Sequence, residues 1–87
     1  MMYVLLYSKQ AKKDARKLKA SGLKQKAEEI LVLLRRNPFE NPPRFEKLVG
    51  DLQGAYSRRI NIQHRIVYQV REEDRIVRIL RMWTHYE

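Results

Sequence analysis

Cysteine is absent from this chain. Disulfides and thiolate metal sites are therefore excluded, and a reducing cytosol is the expected setting. Glycine is scarce, at three residues, which leaves no glycine-rich loop to cradle a phosphate. The two histidines, His64 and His85, stand far apart, and neither a His-x-x-x-His nor an Asp-x-Asp pattern occurs. No metal site and no cofactor are expected. Ser8, Ser21 and Ser57 lack the glycine-flanked elbow of a serine nucleophile. Long apolar runs are missing too. The stretch Met1 to Tyr7 is too short to span a bilayer, and no basic residue precedes it as in a signal peptide. A buried strand is the expected role for it, with no membrane partner.

Acids are outnumbered, ten against 19 Lys and Arg, for a formal charge of +9. An excess of this size favours a polyanion as partner. Its distribution sharpens the point. Between Lys9 and Lys26 stand eight basic residues and a single acid, Asp14, a local +7 that leaves +2 for the rest. Nucleic acid is the leading reading, beside an acidic protein partner or a plain solvated helix face. The 87 residues, 44% of them apolar, suit one domain over residues 1–87 with a modest core.

Met2 to Tyr7 reads as a strand, and Ser8 is placed to cap a helix. In that helix Ala11, Ala15 and Leu18 form a narrow apolar stripe, and Lys9, Lys12, Lys13, Arg16 and Lys17 cover the other faces. Ser21-Gly22 breaks it. Leu23, Ala27, Ile30, Leu31 and Leu34 mark a second helix. Pro38 stops it, because the residue before a proline avoids helical angles. A linker from Asn37 to Arg44 holds all three prolines. Phe45 to Val49 is a candidate short strand, and Gly50 to Gly54 a turn. Tyr56 to Ile62 and Arg65 to Arg71 both alternate with period two, and a turn near Gln63-His64 would pair them as a hairpin. Arg75 to Met82 is a further strand, apolar on both sides. The expected class is α+β: two N-terminal helices packed on a small antiparallel sheet, in the order β-α-α-β-β-β, with room for an extra short strand.

With metal and serine chemistry set aside, a basic protein can still cleave RNA by using the substrate's own 2′-hydroxyl as nucleophile. A base must take the 2′ proton, a cation must stabilise charge growing on the phosphate, and an acid must protonate the departing 5′ oxygen. Arginine suits the phosphate because its planar fork donates paired hydrogen bonds and keeps its charge. Histidine suits the acid because its free pKa, about 6.5, lies near working pH. Arg58, Arg59 and Arg65 lie on the two hairpin strands, where they are either a phosphate site or the charged outer face of an amphipathic sheet. Glu46 and His85 read equally as surface residues. Tyr56, Tyr68, Trp83 and Tyr86 are aromatic platforms on which bases can stack, with Tyr68 the one expected in the core.

One series of short stretches is more specific. It comprises Arg36-Asn37-Pro38-Phe39, Glu46 with Leu48, Leu52 with Gly54, Ser57-Arg58-Arg59-Ile60, His64-Arg65-Ile66-Val67-Tyr68 and His85-Tyr86. In order and spacing, over roughly residues 23 to 87, the chain resembles the YoeB/Txe toxins of bacterial toxin–antitoxin systems, within the wider RelE/ParE-like fold. The resemblance implies a ribosome-dependent messenger RNA endonuclease that works in the A site without a metal. It gives Glu46 the place of the general base, Arg65 that of the phosphate-stabilising arginine and His85 that of the general acid. Arg59, Arg58, Tyr86 and Tyr56 fall at or near substrate-contacting positions, and the basic helix is expected to touch ribosomal RNA. The implied partners are the ribosome with its messenger RNA, an acidic antitoxin of the YefM type and a second copy of the chain. The implied setting is the bacterial cytoplasm. There are departures: Tyr56 stands where the family has tryptophan, the segment from Leu80 to His85 is two residues longer, and Glu87 follows Tyr86. Two alternatives stay open on the same fold, a ParE-like non-catalytic toxin and a plain RNA-binding module.

Overall fold

Ser8 caps the first helix as its position suggests. Its hydroxyl oxygen accepts from the Ala11 amide at 2.9 Å, and the same hydroxyl donates to the Leu80 carbonyl at 2.7 Å. One side chain thus starts the helix and ties it to the last strand. Ser8→Ala is expected to lower the unfolding free energy by about 1–2 kcal/mol. The measurement is a lower urea midpoint at unchanged slope.

The computed structural model describes residues 2–49 and 54–83. Its elements are β1 (Val4–Tyr7), α1 (Lys9–Ala20), α2 (Lys24–Arg36), β2 (Glu46–Lys47), β3 (Tyr56–Arg59), β4 (Arg65–Arg71) and β5 (Ile76–Arg81). α1 ends at Ser21, and Gly22 follows with φ at 81°, a left-handed conformation that costs glycine little. α2 ends at Asn37, directly before Pro38. The strands form one sheet in the order β1-β5-β4-β3-β2. The chain is α+β as expected, and the extra short strand is β2.

The sheet departs from the expectation of a purely antiparallel one. β2, β3, β4 and β5 pair antiparallel in sequence, but β1 joins β5 in parallel at the edge. Nearly the whole chain separates β1 from β5, so no turn residue signals this pairing. The hairpin turn also differs in place. β3 stops at Arg59, and the Asn61 side chain accepts from the amides of Gln63 and His64, closing the turn before His64. Ile62 therefore sits at the tip, 85% exposed, and not in a strand.

Ala11 and Leu18 of α1 and Ala27, Ile30 and Leu34 of α2 pack on Ile66, Tyr68, Val77 and Ile79 of the central strands. Strand side chains alternate, so Arg65, Val67 and Gln69 of β4 project from the other face. That face is left to the site. Among the described residues no helix is long and apolar enough to cross a membrane.

Candidate active site

The register of the hairpin decides which of the arginines share a face. Arg59 and Arg65 are cross-strand partners, and Ser57 pairs with Val67 one pleat away. Glu46 on β2 pairs with Ser57, which brings it to the same face. Arg81 ends β5 opposite Val67, after a register shift that leaves Leu80 without a cross-strand partner. Glu46, Ser57 and Val67 thus make one row across three strands, with Arg59 and Arg65 in the next, while the Arg81 side chain reaches the helical layer, its Nε 4.0 Å from Asp14. Ser57 and Val67 are buried and form a close-packed floor.

Across β3, an Arg65 Nη stands 3.6 Å from a Glu46 carboxylate oxygen. The Glu46 side chain is 41% exposed and that of Arg65 17%. A pair with one member this open contributes only about 0–1 kcal/mol to stability. It is weak enough to open for a third charged group, such as a phosphate. Beside it lies a cleft of about 260 Å³ lined by Pro43, Arg44, Glu46, Ser57 and Arg59. Arg44 and Ser57 were missed as site neighbours in the sequence. The alternation of β3 marks Ser57, but Arg44 becomes visible only through the cleft it lines with Glu46.

Two proposed substrate contacts fall on the other face. Tyr56 pairs with Tyr68 and Arg58 with Ile66, both turned toward the core. The Tyr56 ring packs edge-on against Phe39 and Phe45, at centroid distances of 5.3 and 5.8 Å. It does not stand beside Glu46 and Arg65 as a platform for a base. Arg58 is only 1% exposed. Its guanidinium donates to the carbonyls of Pro38, Glu40 and Pro43 at 2.6–2.9 Å, and to the Tyr68 hydroxyl at 3.1 Å. It also lies over the Phe45 ring, 4.9 Å from the centroid. A guanidinium engaged on three carbonyls and a phenol oxygen has no fork left for a phosphate in this conformation, which favours a structural role for Arg58. It ties the proline-rich crossing to the sheet immediately before Glu46. Burial raises the Tyr68 phenol above its ordinary value, against an opposing pull from Arg58. The phenol therefore stays protonated and donates to Pro38 at 2.9 Å.

Lys9, Lys12, Lys13, Arg16 and Lys17 are all exposed along α1. They lie in the helical layer, on the side of the sheet away from Glu46 and Arg65. His85 and Tyr86 lie outside the described residues. Among the described residues no three His, Cys, Asp or Glu side chains gather as metal ligands would.

The chain matches the model of a YoeB-like toxin of bacterial type II toxin–antitoxin systems over residues 7–86. It is 39% identical over 62 residues to Toxin YoeB of Escherichia coli O6:H1, covering 71% of each chain. Among solved structures it is similar to the YoeB dimer of Staphylococcus aureus, at 34% identity and a TM-score of 0.82. That match covers 99% of this chain and 100% of the other. The heterotetrameric YoeB–YefM toxin–antitoxin complex from the same organism matches with the same coverage, at 32% identity and a TM-score of 0.80. Shared order of elements and a family match over nearly the full length give one conclusion: the chain belongs to the YoeB-like toxins of bacterial type II toxin–antitoxin systems.

Proposed function

We propose that this toxin is a ribosome-dependent messenger RNA endoribonuclease that needs no metal. The observation carrying the proposal is the half-open Glu46–Arg65 pair, with Arg59 as cross-strand neighbour, on a sheet face floored by the buried Ser57 and Val67. Glu46 takes the proton from the 2′-hydroxyl of the substrate. The 2′ oxygen attacks phosphorus, and Arg65 and Arg59 stabilise the charge that builds on the phosphate oxygens. The bond from phosphorus to the 5′ oxygen breaks, and His85 protonates that oxygen. The products are a 2′,3′-cyclic phosphate and a 5′-hydroxyl end. Tyr86, next to His85, is the aromatic candidate for contact with the substrate.

The basic face of α1 suits ribosomal RNA. Because it lies in the opposite layer from Glu46 and Arg65, a partner touching both must embrace the molecule, as a large assembly can. An antitoxin of the YefM type is the proposed inhibitor, its acidic segment covering Arg59 and Arg65. A second copy of the chain is a further proposed partner, and the bacterial cytoplasm the proposed setting.

The test is cleavage of a defined message on programmed ribosomes, with a chelator present. The expected result is a new 3′ end within the A-site codon and a downstream fragment that begins with a 5′-hydroxyl. A message that stays intact while ribosome binding persists would leave a plain RNA-binding module. An intact message together with loss of gyrase supercoiling would favour a ParE-like toxin.

A further inference from the structure

The ladder between β4 and β5 ends at Val67↔Arg81, beyond a register shift between Val67 and Tyr68 and short of Arg65. On the β3 side the start of β4 is tied by backbone. Arg59 and Arg65 are partners, and the His64 carbonyl accepts from the Ile60 amide at 2.8 Å. On the β5 side the chain leaves the ladder after Arg81, and contact with β4 passes from backbone to ring. The Trp83 ring stacks on His64, with centroids 3.8 Å apart and planes 19° from parallel. His64 is buried, and its amide donates to the Asn61 side chain at 2.7 Å. Arg65 is the next residue, so a displacement of His64 moves the Arg65 backbone with it.

Trp83 is itself fixed from a third element. Asp14 of α1 is fully buried on the apolar stripe of Ala11 and Leu18. One of its carboxylate oxygens accepts from the backbone amides of Met82 at 3.0 Å and Trp83 at 3.2 Å. The other accepts from the Gln10 side-chain amide at 2.8 Å. Burying a carboxylate is costly, and an apolar side chain here would pack with less penalty. What the acid supplies is a fixed position for two consecutive amides just past the end of β5. The Trp83 side chain also packs against the core, beside the buried Met82. Held by backbone and by packing, the indole is a stop against which His64 rests.

We propose that the Trp83–His64 stack, anchored by Asp14, positions Arg65 where the β5 ladder has ended. The role rests on the ribonuclease reading, in which Arg65 stabilises charge on the phosphate; the stack itself does not. His64 and Trp83 are positioning residues, and neither is assigned contact with the message. Arg65 has to meet a phosphate while standing 3.6 Å from the Glu46 carboxylate. A misplacement of about 1 Å at such a point costs on the order of 100-fold in rate.

Two measurements test it. Trp83 is the only tryptophan in the chain, so its fluorescence reads the stack with no substrate present. In His64→Ala, which removes the facing ring, the emission is expected to change and acrylamide quenching to rise, while far-UV circular dichroism is unchanged. Asp14→Ala is expected to raise quenching as well, since it frees the two amides. An unaltered Trp83 signal in folded His64→Ala overturns the stack, whatever the protein's activity.

The second measurement is a cycle of single-turnover cleavage rates on programmed ribosomes. His64→Ala is expected to slow cleavage about 10–100-fold at unchanged ribosome affinity. His64→Phe, which restores a ring to the stack, should recover most of that loss. Added to Arg59→Ala, His64→Ala should cost its full factor again. Added to Arg65→Ala, it should cost less than about twofold more, because the residue it positions is gone. Full additivity with Arg65→Ala, or no slowing in the single variant, overturns the positioning role. An Arg65→Ala protein that cleaves at the wild-type rate would instead sink the ribonuclease reading, and the role of the stack with it, while the fluorescence result stands. If His64→Ala does not fold, Trp83→Leu removes the other ring and enters the same cycle, with Trp83→Phe as its rescue.

Discussion

Arg65→Ala is expected to reduce cleavage of ribosome-bound message by about 10²–10³-fold, and Glu46→Gln by about 10²–10⁴-fold. The folded state should barely notice the loss of the contact between them. The two side chains meet at 3.6 Å, and Glu46 is too open to water for the contact to be worth more than about 1 kcal/mol. Activity and stability should therefore separate most cleanly in Glu46→Gln, with the single-turnover rate falling while the denaturation midpoint moves little. Because both residues serve one transition state, the double variant should lose far less than the product of the single losses. Arg59→Ala, its cross-strand neighbour, should cost less than Arg65→Ala, since Arg65 is the one in reach of Glu46. If single-turnover rates are unchanged in both Arg65→Ala and Glu46→Gln, this face is not where the chemistry happens.

The second large effect sits one residue from the site and concerns stability. Arg58→Ala should destabilise the fold by about 3–5 kcal/mol, because each buried carbonyl left without its donor costs about 1–3 kcal/mol. The change leaves the carbonyls of Pro38, Glu40 and Pro43 without the donor that gathers them. In a domain whose whole stability is about 5–15 kcal/mol, that is a large share. Arg58→Lys should recover only part of it, because an ammonium lacks the planar fork that reaches several carbonyls at once. Arg59→Ala, on the exposed side of the same strand, should stay within about 0.5 kcal/mol of wild type. The comparison is made by guanidinium melts. An unshifted midpoint for Arg58→Ala, with weakened RNA binding, would return Arg58 to the substrate side.

This contrast between adjacent arginines was already written in the period-two pattern of Tyr56 to Ile62. That pattern groups Arg58 with Tyr56 and Ile60 and sets Arg59 with Ser57. Resemblance to a motif containing both arginines suggested one role for the two, whereas alternation assigns them opposite faces. Asp14 was legible in the same way, falling three residues after Ala11 and four before Leu18 on an apolar stripe. What could not be read was its partner, because the Met82 and Trp83 amides are 68 and 69 residues away. The hairpin turn was misplaced by a few residues because Asn61 closes it with its side chain, a device less visible than an Asn-Gly pair.

By itself the sequence determined the elements and their chemistry. Local steric preference and apolar period set two helices, a cap at Ser8, a break at Gly22 and an alternating hairpin, and the charge excess on α1 required nothing beyond counting. Only the tertiary structure decided that β1 pairs in parallel with β5, that Glu46 meets Arg65 across β3, and that Arg58 is taken up by three carbonyls. The physical reason is the same in each case. Those outcomes depend on contacts between residues distant in the chain, and such contacts are selected by how the whole set of buried faces packs, not by any local preference.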